Sequence, residues 1–270
     1  MRSAAVRDVT VEIAGVRTAF VTAPAEVAAV VSQRYAGFLS LAPAHWRFET
    51  GLRPGGLVPL EDVVVRSGGG PNRLVVERHD FLATLDLAAR AGTLALGVVD
   101  PVTIDTFLRV AYSLALLEAG GLLVHAASLG RGPRAWLFPG RSGSGKTTLA
   151  RLSPDATLLS DEISIVRLEA GGARVHGSPF WGELARAGAN AAVPLAAIHF
   201  LRHADRHAAT PLMPRQALAA LLPNVLFFAA EPALVARVFD VAAGLVERVP
   251  CFALGFRPEA SVWEAIEHAA

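Results

Sequence analysis

Apolar positions along the chain follow two rhythms, and the change from one to the other divides it. Over the first hundred residues they mostly alternate. Residues 9–13 and 16–21 flank Ala14-Gly15, a pair suited to a hairpin turn, and residues 60–65 and 74–78 flank a second turn at 67–72. Between these pairs, Val27, Val30 and Val31 recur at helical spacing over residues 24–35, with Pro24 placed for a first helical turn. Residues 82–99 predict one or two further strands. From Asp100-Pro101 the period becomes helical: Phe107, Val110, Ala111, Leu114 and Leu117 recur through residues 103–119, and Gly120-Gly121 stops the helix. Two short apolar strands, 122–127 and 135–138, follow around turn residues 130–133. The pattern predicts an α/β protein: a smaller α+β domain over residues 1–98, a candidate for substrate recognition, and a larger domain with a mixed sheet over residues 99–270.

Composition narrows the classes of function. A chain of 270 residues can bury both cores. It is 53% hydrophobic, yet no run of about 20 apolar residues is free of charge or proline, so no membrane partner is predicted. Met1-Arg2-Ser3 leads into Arg7, Asp8 and Glu12 in place of an apolar export core, and a cytoplasmic protein is the expectation. The single cysteine, Cys251, excludes an intrachain disulfide and a cysteine zinc cluster. A net charge of +1 with interspersed signs predicts no nucleic-acid partner.

One count points to chemistry. Of 25 basic residues only Lys146 is a lysine. Arginine replaces lysine on most solvated surfaces, so the compact ammonium is kept where a point charge is needed. Lys146 closes the run Gly140-Arg-Ser142-Gly143-Ser144-Gly145-Lys146-Thr147-Thr148, which follows an apolar strand and precedes a helix-forming segment. This is the strand, G-x-x-x-x-G-K-[ST], helix arrangement in full. Its glycines let successive N–H groups turn inward around phosphate oxygens, and the helix adds its positive end. Lys146 is expected to reach the β- and γ-phosphates of ATP, and the Thr147 hydroxyl to ligate Mg²⁺.

Fifteen residues past Lys146, the strand-like residues 157–159 end in Ser160-Asp161-Glu162. A carboxylate at the carboxyl end of a strand beside such a loop can hold magnesium or orient the attacking group. A solvated acidic turn would show the same residues, and strand alternation would start the two side chains on opposite faces. His199, His203 and His207 would line one face as metal ligands if helical, but residues 194–201 read as a buried strand. Phe180 to Glu183 could edge a pocket or end a strand in the core.

Here the chain resembles the HPr kinase/phosphorylase family, whose kinase domain shares a phosphate-loop variant with phosphoenolpyruvate carboxykinases. The resemblance covers residues 122–179: the strand bearing His125, the loop Gly140 to Thr148, the acidic pair and a hairpin ending at His176-Gly177-Ser178-Pro179. It implies an ATP- and Mg²⁺-dependent kinase acting on a serine hydroxyl of a protein or peptide. In that case Asp161 orients the acceptor, Glu162 and Asp161 serve the metal with Thr147, and His125 lies near the phosphates. Taken alone, a single histidine in an apolar strand such as His125 is more often a packed core residue. Compact relatives beside ribosomal-peptide systems such as lasso peptides imply a peptide acceptor, and family rings leave room for a homo-oligomer. Glu162 stands where the family has a second aspartate and His176 where it has an arginine, so reverse phosphorolysis is not implied.

Overall fold

Alternation in the first hundred residues builds a seven-stranded mixed sheet. In the computed structural model, which describes residues 6–54, 62–70, 72–259 and 261–269, β1 (Arg7–Ile13) and β2 (Val16–Ala23) pair antiparallel. Their turn places Ala14 and Gly15 at φ 51° and 76°, the two left-handed residues that a two-residue hairpin needs. Helix α1 (Ala25–Arg34) buries Val27 and Val31. Strands β3 (Trp46–Leu52), β4 (Val64–Ser67), β5 (Arg73–Arg78), β6 (Phe81–Asp86) and β7 (Ala91–Leu96) complete the order β1-β2-β3-β7-β6-β5-β4. The stretch 82–99 thus resolves into β6 and β7. The strand expected over 60–65 is found as β4, from residue 64; residues 60–61, and Pro71 of the turn after it, lie outside the described residues.

Helix α2 (Pro101–Glu118) begins where the period changes, capped by Asp100, whose Oδ1 accepts the Thr103 N–H at 2.7 Å. Its Phe107 ring meets Phe48 edge-on at 4.9 Å and Phe20 and Phe81 at 6.1 Å each. Such pairs contribute about 0.5–1.5 kcal/mol each beyond burial. The Tyr112 hydroxyl, fully buried, donates toward the carbonyls of Val11 and Val16. By its contacts the chain forms two compact units, Met1–Ala115 with Phe228–Val235, and Leu116–Phe227 with Ala236–Ala270. Residues 101–115 of the helix therefore belong with the first sheet, through the aromatic cluster around Phe107.

The second unit is built from β8 (Gly121–Arg131), β9 (Arg134–Pro139), α3 (Lys146–Arg151), β10 (Thr157–Ser160), β11 (Ile163–Glu169), β12 (Gly172–His176) and β13 (Ala192–His203). They are followed by β14 (Ala208–Pro211), α4 (Pro214–Leu221), β15 (Val225–Leu226), α5 (Pro232–Arg248), β16 (Cys251–Phe256) and α6 (Val262–Ala269), the first turn of α5 counting with the first unit. Its nine-stranded mixed sheet runs β10-β8-β11-β12-β13-β16-β14, with β9 between β8 and β13 and β15 on β8. Among the described residues the chain is thus a mixed α/β protein with two mixed sheets and six helices. No helix among them is long and apolar enough to cross a membrane.

The long strand β8 decides where the second unit can hold a site. Its first half, to His125, pairs with β11, and its second half, from Ala126, pairs with β9. The two approach from opposite edges of β8 at one peptide: the Gly140 N–H donates to the His125 carbonyl at 3.2 Å, and the Ala126 N–H donates to the Glu162 carbonyl at 3.0 Å. The end of β9, from which the glycine run leaves, and the acidic turn ahead of β11 are thereby both held to this point of β8. Beneath it, Phe138, Leu149, Phe252, Phe256 and Trp263 form one apolar core, and the Trp263 indole donates to Ser153 Oγ at 2.7 Å, tying α6 to the end of α3.

Candidate functional site

The glycine run leaves β9 and curls ahead of α3. Gly143 and Gly145 lie in the left-handed region at φ 80° and 99°, conformations that cost little only without a Cβ. At Gly140 a Cβ would collide with the Ser144 side chain folded over it. A Cβ at Gly145 would come within 2.5 Å of the Phe256 ring. Backbone freedom and a tight floor therefore coincide at Gly145. Gly145→Ala is expected to destabilise the loop and weaken nucleotide binding by at least about tenfold, through left-handed strain and the ring contact together; titration with Mg·ATP checks this. Helix α3 has only six residues, so a helix dipole by itself adds little attraction for anions here.

Lys146 sits inside that collar, 5% exposed, and its Nζ donates to the carbonyls of Gly140 at 2.7 Å and Arg141 at 3.1 Å. Burial lowers its pKa from the ordinary lysine value, while Glu162, then Glu183, then Asp161 oppose the shift. Desolvation strengthens the attraction of such a cation for an anion, while the nearby carboxylates favour its charged form.

Around it lies a cavity of about 210 Å³ lined by His125, Ser142, Gly143, Gly145, Lys146, Thr147, Thr148, Arg151, Glu162, Glu183 and His203. Its volume is below the roughly 300–1,000 Å³ that encloses a whole drug-sized ligand, and suits a polyphosphate tail whose remainder stays outside. A larger cavity of about 590 Å³, in the first unit beside β1, α1 and Leu39–Leu41, gathers no comparable set of groups. The hard oxygens of Thr147 and Glu162, both on this cavity, fit a magnesium ion that keeps waters and phosphate ligands.

The acidic pair divides. Glu162 turns toward the cavity and pairs with His125, whose Nε2 lies 3.3 Å from Oε1. Asp161 turns the other way and is 2% exposed. Its Oδ1 accepts the Gly182 N–H at 2.9 Å and its Oδ2 the Leu184 N–H at 2.8 Å. Of the positions singled out in the sequence, His125, Ser142, Gly143, Gly145, Lys146, Thr147, Thr148 and Glu162 line one cavity. Gly140 and Ser144 shape the loop behind it, and Asp161 is engaged elsewhere.

Three further residues line the cavity: Arg151 was not singled out in the sequence, His203 was weighed there only as a metal ligand, and Glu183 only within the pocket edge Phe180 to Glu183. His203, the last residue of β13, brings its Nε2 to 3.2 Å from the Gly143 carbonyl and stacks on Phe256. Arg151 and Glu183 face each other at 3.8 Å. The three spaced histidines do not converge: His199 lies in the sheet between Phe138 and Phe252, and His207 meets Ser261 and Glu259. Among the described residues no group of three or more His, Cys, Asp or Glu side chains could hold a metal.

The model of one protein family, the SynChlorMet cassette protein ScmC, matches residues 99–270, a span that contains this whole cavity. The chain belongs to the ScmC family. The membership corrects the resemblance to the HPr kinase/phosphorylase family: the ScmC match includes every residue that carried that likeness, and no HPr kinase family model matches. A glycine loop with its lysine is a local solution to holding phosphate, and such solutions recur across families. A search of curated proteins found no match to this ScmC chain.

Proposed function

We propose that this ScmC protein is an ATP- and Mg²⁺-dependent kinase that transfers the γ-phosphoryl group to a serine hydroxyl of a peptide or protein in the cytoplasm. The observation that carries the reading is the chain's one lysine, buried in a left-handed glycine loop that opens on a small cavity with two carboxylates. Within the fold this reading makes the second unit a phosphate-loop kinase domain.

On this reading the loop amides and Lys146 bind the β- and γ-phosphates, and Thr147 and Glu162 hold the cation's protein side. Bound magnesium would neutralise charge on the transferring group. His125 orients Glu162 through its 3.3 Å contact. Phosphoryl transfer asks mainly for positioning and charge stabilisation, and a half-enclosed set of donors meets both needs. The cavity's small volume leaves its mouth to the acceptor, which suits a hydroxyl presented on a larger molecule; a small-molecule hydroxyl is the alternative acceptor. Incubation with γ-labelled ATP and serine-containing peptides is expected to label a peptide. Label found only in inorganic phosphate or in small metabolites would count against the peptide acceptor.

A second reading, a nucleotide-dependent switch without transfer, draws on Asp161, whose two oxygens are both taken by backbone amides. Tight Mg·ATP binding with no labelled product, and a protease pattern changed by ATP, would favour it.

A further inference from the structure

Resting on the proposed phosphoryl transfer, we propose that Asp161 is a positioning residue that latches the segment 177–191, and that the proton of the attacking hydroxyl goes to Glu183, which this latch holds at the cavity. The acceptor oxygen bonds to the γ-phosphorus as the bond from that phosphorus to the bridging oxygen breaks. The electron pair leaves with ADP, and the hydroxyl proton passes to the Glu183 carboxylate.

The two amides that bond Asp161 belong to Gly182 and Leu184, the residues on either side of Glu183. The latch therefore fixes the backbone of residue 183 from both sides. The same segment is laced to β10 at two further points, with Ser178 N–H donating to the Leu159 carbonyl and Ala189 N–H to the Leu158 carbonyl, each at 2.9 Å. Its glycines mark how close it lies. A Cβ at Gly188 would collide with the Leu159 carbonyl, and one at Gly182 would come within 2.8 Å of Glu162 Oε2. The strap thus rests directly on the cavity's inner carboxylate.

Burial separates the roles of the three acids. Asp161, 2% exposed with both oxygens engaged, is out of reach of an incoming group and would forfeit an amide bond on taking a proton. Glu162 is 35% exposed and turned to His125, on the side where the cation is expected. Glu183 is 69% exposed at the cavity's edge, its only ion pair among the described residues being the 3.8 Å contact with Arg151, and it can meet a hydroxyl arriving from outside.

The test uses the full chain, with water as the acceptor and Mg·ATP as the probe. In Asp161→Asn an NH₂ group would confront one of the two amides. Hydrogen exchange at Gly182 and Leu184 should quicken, and ATP turnover should fall about 100-fold while Mg·ATP affinity stays within about twofold. Glu183→Gln should leave the exchange of both amides as in wild type and lower turnover to a similar degree. The double variant should lose no more than the worse single one, since both act through one group. Wild-type turnover in Glu183→Gln, fully multiplicative losses, or unchanged exchange in Asp161→Asn would overturn the inference. If Asp161→Asn does not fold, the mostly exposed Glu183 variant decides alone. A wild-type chain that does not bind Mg·ATP would overturn the reading of the loop and the proton transfer with it, while exchange would still judge the latch.

Discussion

Lys146→Met is expected to lower Mg·ATP affinity and phosphate release together by about 100- to 1,000-fold, the cost of removing one preorganised charge from a partly desolvated site. Methionine keeps the length and apolar stem of lysine, so the fold should survive. The ammonium's two bonds, to the Gly140 and Arg141 carbonyls, are local to the loop, and the apolar core beneath α3 does not depend on them. What disappears is the buried ammonium near Glu162 and Glu183. No other lysine exists to stand in, and Arg151 lies on the exposed far end of α3, 3.8 Å from Glu183. Calorimetric titration with Mg·ATP, together with thermal melts of both proteins, separates loss of binding from loss of fold. Equal affinity and equal turnover in the variant would remove the basis of the proposed activity.

The second large effect concerns stability. His199 is fully buried, its ring stacked with Phe138 at 5.9 Å and with Phe252 at 5.1 Å, and neither ring nitrogen has a hydrogen-bond partner among the described residues. Burial pushes its pKa down from 6.5 to about 4. Above pH 6.5 the ring is neutral in both folded and unfolded chains, and its contribution is fully present. As pH falls below that value the unfolded chain takes up the proton first, so stability declines until the folded value near 4 is reached. The loss attributable to this one ring amounts to about 3 kcal/mol across that window. His199→Phe should flatten this part of the acid limb, and above pH 7 should add roughly 1 kcal/mol or more by removing two unpaired polar atoms, less any strain from the larger ring. Urea midpoints for both proteins between pH 4 and 8 give the comparison. Parallel pH profiles would show that the proton taken up on acid unfolding belongs elsewhere.

Much of the secondary structure was legible because its signals are local. Ala14-Gly15 announced a hairpin, and Asp100-Pro101 a helix start, through turn and cap chemistry contained in a few consecutive residues. Strand β3 escaped because Trp46 to Leu52 combines charged, glycine and apolar residues; what makes it a strand is its parallel pairing with β2 and β7. The glycine loop was legible for the same reason as the hairpin: left-handed φ values at Gly143 and Gly145 are written in the residue type. Family membership was not, since a phosphate-holding motif is shared across families, and the match to ScmC rests on the whole span 99–270.

The sequence by itself determined that a lone lysine stands in a glycine collar between a strand and a helix, with an acidic pair fifteen residues on. It could not determine which acid of that pair faces the collar. Adjacent side chains on an extended backbone point to opposite sides, and only the surroundings say which side is the cavity. The tertiary structure decided it by setting His125 against Glu162 and by laying the Gly182 and Leu184 amides across Asp161. It also brought in His203 and Glu183, nearly 60 and 40 residues from the loop, because hydrogen bonds between distant segments are settled by folding and leave no local trace in the chain.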